Sequence, residues 1–386
     1  MRQLSIFLLI LLVIFSCSKN TSEEVKEAVT VSDDFKSYRL DSELPAERFA
    51  DLIESVEVMR LEETNNSLLS YVFDVHQTKD HFVFTSGKES DVFVFDLKGE
   101  FVRKINRKGD GPEEYSSITD LWLEGDTMAI YTRSQSTVKR YDLEGNFVKA
   151  DKLPVIPGHI NRYNNGYAMD MYFRPINDTS YYRYVTLDKD LKPNGMYVPV
   201  DNKITIGFFL STNSVAPYKD GVTLHRMMSD TVYYLNDKGF NPLVHLDFGN
   251  DWYWKEIRDV TEDFLKNIQS TDKIWTATAK IGNHKIWVFT YTGSTEGRMV
   301  PSFLIDRATG VVHNVDTRKA DKSNNVAVAI SWDDDHLLYS IQSADVADFL
   351  SELKEDQITF RQGTTIEEIE SSENPVLMWV KFKQEY

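Results

Sequence analysis

Only one of the 386 residues is a cysteine, Cys17. The mature chain can therefore form no internal disulfide, and once that thiol is modified it has no thiol nucleophile and no thiolate metal ligand. Basic residues are also few, because 43 Lys and Arg stand against 60 Asp and Glu, for a formal net charge of −17. A nucleic-acid backbone is bound by a basic surface, so the composition argues against a nucleic-acid partner.

Several motifs of common enzymes are missing as well. There is no His-Glu-x-x-His zinc motif, no Gly-x-Ser-x-Gly elbow, and the eight histidines show no ligand spacing. Asp333, Asp334, Asp335 and His336 resemble a divalent-cation site, but they lie between two strand-like segments, where a hairpin turn is expected. The sequence therefore predicts no catalytic residue, no metal site and no cofactor.

A long apolar run occurs only at the start, in "MRQLSIFLLILLVIFSC". Arg2 is followed by an apolar segment from Ile6 to Phe15, which is short for a membrane span and typical of a signal peptide. The segment ends at Ser16-Cys17 and resembles the bacterial lipoprotein signal, in which cleavage before the cysteine precedes its lipidation. The alternative is an ordinary signal peptide with an incidental cysteine.

The lipoprotein interpretation divides the chain into three parts. Residues 1–16 form the signal peptide, residues 17–34 a lipidated flexible tether, and residues 35–386 the folded domain. The tether "SKNTSEEVKEAVTVSDD" is polar and has no pattern that would bury a face. We expect a cell-envelope protein held at the outer membrane through lipid on Cys17 alone, facing either the periplasm or the surface.

A strand–turn–strand unit recurs along the folded domain. The aspartates Asp96, Asp142 and Asp188 follow one another at intervals of 46 residues, and related copies centre on Asn236 and Asp306. Each copy carries an Asp-x-x-Gly type of turn, in which Asp or Asn accepts backbone bonds and Gly takes a positive φ. Two further strand-like segments separate the hairpins, so each period contains about four strands, the content of one propeller blade.

These features resemble the six-bladed β-propeller lipoproteins of Bacteroides-type bacteria, which are distantly similar to NHL propellers. The resemblance rests on the lipoprotein start, on "GDGPEEY" from Gly109 after the "FVRKI" strand, and on "SDTVYYL" from Ser229. Asn106 and Glu113 depart from the glycines common in that family. The resemblance implies an all-β domain of six four-stranded antiparallel blades with small helical insertions, whereas the spacing alone would also permit seven blades.

The glycine-rich "GDGPEEY" segment has two interpretations. A phosphate-binding loop would be followed directly by a helix, but "SSITDLWLEG" is typical of a strand. We therefore expect a structural crossing between blades, in which Gly109 and Gly111 supply the unusual φ values and Pro112 stiffens the exit.

The ends and the insertions complete the predicted fold. The strand "VEVMRLE" should pair with "PVLMWVKFK" from Pro375 and close the ring, leaving no free sheet edge. Helical spacing of apolar residues predicts three helices. Their apolar positions are Phe49, Leu52 and Ile53; Ile257, Val260, Phe264 and Ile268, with Asp259 as a cap; and Val346, Phe349, Leu350 and Leu353.

Recognition of a ligand is the function that these observations favour. Propellers present loops at one mouth of the central channel, where aromatic and arginine side chains suit a peptide, a glycan or an envelope protein. The candidate residues are Tyr172, Arg174, His225, Arg226, Trp252, Tyr253 and Trp254, with blade packing as the alternative for each. A hydrolase or lyase acting at the mouth is the alternative function, and a structural scaffold is a third.

Overall fold

The computed structural model describes residues 33–87, 90–172, 174–177, 180–200, 214–255, 264–293, 302–319, 327–361 and 363–384. The segments predicted as signal peptide and tether, residues 1–16 and 17–34, lie outside these residues except for Asp33 and Asp34. Before the first blade the chain forms β1 (Lys36–Arg39), β2 (Glu47–Arg48), a short 3₁₀ turn at Phe49–Leu52, and β3 (Ile53–Met59). No helix within the described ranges has the length and apolar character needed to cross a membrane.

Three four-stranded antiparallel sheets follow, each with its strands in chain order from the axis outwards. Blade one contains β4 (Val72–Gln77), β5 (His81–Ser86), β6 (Asp91–Asp96) and β7 (Phe101–Asn106). Blade two contains β8 (Asp120–Glu124), β9 (Thr127–Thr132), β10 (Thr137–Asp142) and β11 (Phe147–Lys152). Blade three contains β12 (His159–Tyr163), β13 (Gly166–Asp170), β14 (Tyr182–Leu187) and β15 (Pro193–Pro199).

Blades four and five each gain an outer strand from the start of the chain. Blade four contains β16 (Val215–Tyr218), β17 (Gly221–Leu224), β18 (Thr231–Asn236) and β19 (Gly239–Asp247). Helix α1 (Phe264–Ser270) precedes blade five, which contains β20 (Ile274–Ile281), β21 (Lys285–Thr292), β22 (Ser302–Asp306) and β23 (Val312–Asp316). Strand β1 pairs in parallel with β19 and β2 with β23, so they cover edges that would otherwise be free.

Blade six closes the ring. It contains β24 (Ala327–Asp333), β25 (His336–Ile341), α2 (Ser343–Ser351), β26 (Ile358–Phe360), α3 (Ile366–Glu370) and β27 (Val376–Phe382). Its strand order is β24-β25-β27-β3-β26. The predicted closure is confirmed, because β3 pairs antiparallel with β27, from Leu377 opposite Met59 to Phe382 opposite Ile53.

Six blades are therefore present, and the predicted propeller is confirmed. The innermost strands β24, β4, β8, β12 and β16 contact one another in that sequence around the axis. Apolar clusters lie between neighbouring blades: Phe82 and Phe84 of blade one pack with Leu338 and Trp379 of blade six. Each sheet thus buries both faces against its neighbours.

The repeated hairpin turns form as the spacing predicts. The Asp96 and Asp142 carboxylates accept backbone N–H bonds within their turns, and Gly99 and Gly145 have φ of 84° and 87°. In the third copy Leu191 takes that position with a φ of 60°, which costs strain that glycine avoids.

The "GDGPEEY" segment is a blade-to-blade crossing, although its glycines act differently from our expectation. Neither Gly109 nor Gly111 has a positive φ. A Cβ at Gly109 would lie 1.9 Å from Glu114 Oε2, so a larger residue there would displace the Glu114 side chain, whose Oε2 accepts the Gly111 N–H at 2.9 Å. Tyr115 fixes the crossing, since its hydroxyl donates to the Ser90 carbonyl at 2.6 Å.

Two of the three predicted helices are seen in the described residues. α1 contains Phe264 and Ile268, whereas Ile257, Asp259 and Val260 lie outside those residues. α2 buries Val346, Phe349 and Leu350 against blade six. The segment around Phe49 forms only a 3₁₀ turn, because Ile53 already belongs to the closing strand β3.

Candidate functional site

Buried polar side chains gather at one end of the ring, where the innermost strands begin; we call this end the mouth. Asp120 is the first residue of β8 and His159 the first of β12. Their side chains meet, with Nδ1 of His159 2.6 Å from Oδ1 of Asp120. The second carboxylate oxygen of Asp120 accepts the Ile160 N–H at 2.9 Å, so both residues are fixed.

Asp120 controls the charge of His159. Burial alone would lower the pKa of His159, but the adjacent Asp120 carboxylate outweighs it and leaves the pKa above its ordinary value. Asp170 acts in the same direction and Arg133 against it. The other ring nitrogen, Nε2, is buried without a hydrogen-bond partner among the described residues.

A second buried pair joins blades three and four. Asp170 is the last residue of β13 and is fully buried. Its carboxylate accepts hydrogen bonds from Nε of Arg226, at 2.8 Å to Oδ1 and 3.0 Å to Oδ2, and from Nη2 of Arg226. Ser214 donates to the same carboxylate at 2.8 Å. Burial would raise the pKa of Asp170, but the Arg226 guanidinium keeps it below its usual value.

Tyr172 stands over both pairs. Its backbone N–H donates to Asp170 at 2.9 Å, and its φ of 58° is unusual for a residue with a side chain. Its ring centroid lies 6.0 Å from that of His159 and 5.9 Å from the Arg226 guanidinium carbon. A Cβ on Gly158 would lie 2.2 Å from the Tyr172 ring, so this ring position requires glycine there.

Three further arginines surround the pairs. Arg133 donates to the Gly158 carbonyl at 2.6 Å. Burial raises the pKa of Tyr131, and the nearby charges of Arg133 and Arg174 oppose that rise. Burial likewise raises the pKa of Tyr184, and the charge of Arg183 opposes it. We define the mouth cluster as Asp120, Arg133, His159, Asp170, Tyr172, Arg174, Arg183 and Arg226.

The other predicted site residues lie in packing positions. His225 Nε2 is 2.9 Å from the Ser229 carbonyl, and burial lowers its pKa to about 4. Trp252 stacks on Phe248 at 5.1 Å. Tyr253 and Trp254 pack against Phe264 of α1, which corresponds to the packing alternative.

A smaller polar group lines the innermost strands. Burial lowers the pKa of both His76 on β4 and Lys280 on β20, and the Asp74 carboxylate opposes both shifts. Across the described ranges, no three His, Cys, Asp or Glu side chains are grouped as a metal site would require. Asp333–Asp335 lie at the β24–β25 hairpin, where Asp334 has a φ of 53°.

Sequence reasoning had selected Tyr172, Arg174 and Arg226, which the fold brings together, but it missed the remaining members of the mouth cluster. Asp120 and His159 are 39 positions apart and belong to different blades. A signal that would have found them is positional, because each is the first residue of an innermost strand and such positions converge at the mouth.

The fold and this polar mouth define a six-bladed β-propeller with a candidate ligand site at one end of its ring. The chain belongs to the family described as "Domain of unknown function (DUF4934)", whose model matches residues 41–381. No curated protein matches the chain.

A solved structure of another chain shows the same fold, and two further structures are similar at a lower level. A protein from Bacteroides fragilis NCTC 9343 that is named as exported has a TM-score of 0.71 at 16% identity, covering 91% of this chain and 100% of its own. A member of the DUF4221 family from Bacteroides vulgatus ATCC 8482 has a TM-score of 0.47 at 10% identity, covering 86% and 97%. A streptogramin B lyase has a TM-score of 0.42 at 9% identity, covering 84% and 97%.

Proposed function

We propose that this chain is a lipid-anchored propeller of the cell envelope that binds a ligand or a protein partner at the mouth without catalysis. The carrying observation is the mouth cluster itself. The buried Asp170 carboxylate, paired with Arg226, accepts the N–H of Tyr172, whose backbone is left-handed, and the buried Asp120–His159 pair lies beside the Tyr172 ring. Such local strain persists where the surroundings fix it, commonly at binding sites. Aromatic and arginine side chains on a rigid scaffold suit recognition.

The route of the chain into the ring supports the anchored arrangement. Asp33 contacts Arg307 at 3.0 Å and Lys219 at 2.6 Å. Both partners lie in hairpin turns at the end of the ring opposite the mouth. Asp33, where the described chain begins, therefore lies at the end of the ring opposite the mouth.

Binding can be tested on the purified mature chain with an array of glycans and peptides. We expect one ligand class to bind, and we expect Tyr172→Ala to weaken that binding at least about tenfold, because a central aromatic contact is lost. Phe360→Ala is the matched control, since Phe360 is an exposed aromatic on the outer strand β26. Equal binding by wild type and Tyr172→Ala would place the ligand elsewhere and contradict the proposal.

Anchoring has a separate test. In the native host, mass analysis of the mature N-terminus should show acylated Cys17, and Cys17→Ala should move the protein from the membrane fraction to the soluble fraction. An unmodified cysteine in the membrane fraction would contradict the lipid anchor but leave ligand binding untouched.

A hydrolase or lyase is the second candidate, and one observation favours it. An imidazole held by a carboxylate through Nδ1, with no partner for Nε2 among the described residues, is an arrangement that can exchange a proton with a substrate: it accepts one when neutral and donates one when protonated. Incubation of the bound ligand with wild type and His159→Gln decides between the two functions. Turnover that His159→Gln abolishes would favour the enzyme, whereas an unchanged ligand would favour binding alone.

A further inference from the structure

The mouth cluster is basic within an acidic protein. It holds four arginines against two aspartates, whereas the whole chain has a formal charge of −17. The two aspartates are already committed, Asp120 to His159 and Asp170 to Arg226. The excess positive charge therefore falls on the other arginines, which lie on blades two and three.

Two of these arginines have no carboxylate of their own. Within the described part of the chain, neither the Arg174 nor the Arg183 side chain makes an ion pair or a hydrogen bond. Nε of Arg183 is buried and has no partner, which is costly for a charged group unless a ligand or water supplies the acceptor. The planar guanidinium fork matches a carboxylate through two parallel hydrogen bonds.

Arg174 lies in the loop between β13 and β14, and Arg183 lies on β14. Several main-chain N–H groups of this loop are already engaged, which favours recognition through side chains. Met171 N–H donates to the Arg183 carbonyl at 2.8 Å, Arg174 N–H to Met171 at 2.8 Å, and Ile176 N–H to Ser180 at 2.9 Å. These groups are not available to extend a sheet with a peptide strand. The same loop offers tyrosine rings instead: Tyr172 is half-buried and Tyr181 is 42% exposed.

We infer that the mouth cluster binds the carboxylate of a uronic acid within an acidic oligosaccharide, an inference that rests on the proposed function. The carboxylate lies between the Arg174 and Arg183 guanidinium groups, and the apolar C–H face of the sugar ring stacks on a tyrosine of the same loop. An acidic peptide would also offer the carboxylate, but the N–H groups of Met171, Arg174 and Ile176 are already bonded and could not pair with its main chain.

The test is calorimetric titration of the mature protein with oligosaccharides of galacturonate, glucuronate and mannuronate, each paired with its methyl ester. The ester keeps the sugar ring and removes the charge. We expect at least one free acid to bind, and we expect its methyl ester to bind at least about tenfold more weakly. The double variant Arg174→Gln/Arg183→Gln should bind the free acid only as weakly as the wild type binds the ester. Arg103→Gln is the control, because Arg103 lies on the outer strand β7 and pairs with Glu144 at 3.6 Å.

The outcomes separate this inference from the proposed function. If acid and ester bind equally and Tyr172→Ala weakens both, the carboxylate inference is wrong while the mouth remains the binding site. If poly-glutamate binds and none of the oligouronates does, the ligand is an acidic peptide and the inference is overturned. If no acid of any of the three kinds binds, the inference also fails, and the proposed function is then judged on neutral ligands in the array.

Discussion

At the residue scale, His159 links the chemistry of the mouth to its stability. The imidazole is 3% exposed and touches the Asp120 carboxylate, with Asp170 and Arg133 as the other charges that act on it. Because its pKa in the folded protein is raised, the folded state holds this proton more tightly than the unfolded state does. That contribution to stability is complete below about pH 6.5 and is lost as the pH rises through the raised value.

We predict that Asp120→Asn removes most of this pH dependence. The amide keeps the shape but not the charge, so the free energy of unfolding should fall by about 1–3 kcal/mol near pH 6 and by less near pH 9. Urea unfolding midpoints at the two pH values measure the effect. Asp190→Asn, an exposed turn residue, is the control, and an equal loss at both pH values would contradict the assigned role.

At the element scale, β1 adds an arm that lies before the segment matched by the family model. The arm, residues 33–40, contains β1, which pairs with β19, and it buries Tyr38 and Leu40. At its start the Asp33 carboxylate accepts a hydrogen bond from the Tyr218 hydroxyl at 3.0 Å. Burial would raise the pKa of Asp33, but hydrogen bonds from Lys219 and Arg307 hold it lower. The arm is therefore part of the folded domain and not of the tether.

Removing this arm should weaken the ring without destroying it. A chain that begins at Asp41 loses two buried apolar side chains and leaves the Arg307 guanidinium without Asp33, so we expect its Tm to fall by roughly 5 °C or more. A chain that begins at Val31 keeps the arm and should melt as the mature protein does. Identical melting of both chains in calorimetry would show that the arm adds nothing to stability.

The elements also show how far sequence reasoning reaches. Hairpins around Asp96 and Asp142 were predictable because their turn chemistry and strand alternation are local. The edge strands β1, β2 and β26 were not predicted, since each is four residues or shorter and its pairing depends on a distant blade. The Asp120–His159 contact was missed for the same reason, because it forms only when two blades stand side by side.

At the scale of the whole molecule, one strand pair closes the ring. Leu377 lies opposite Met59, and Val56 and Val380 of the same pair are fully or almost fully buried in the core of blade six. Every blade packs on two neighbours, so losing this closure exposes apolar surface on blade six and removes support from blades five and one. Such coupling makes a closed ring unfold as one unit.

Ending the chain at Asn374 should therefore unfold more than the last blade. The truncation removes β27, and we expect loss of a single cooperative transition and of near-ultraviolet circular dichroism from aromatic residues in all blades. A chain ending at Gln384 keeps β27 and serves as the control. A cooperative transition that survives in the shorter chain would mean that five blades are stable alone.

The pairing of β3 with β27 also sets the order of events during biosynthesis. Met59 leaves the ribosome long before Leu377 is made, so the first strand waits without its partner while more than 300 residues follow. The nascent edge of β3 is thus open to pairing with another strand or with a chaperone until β27 has been made.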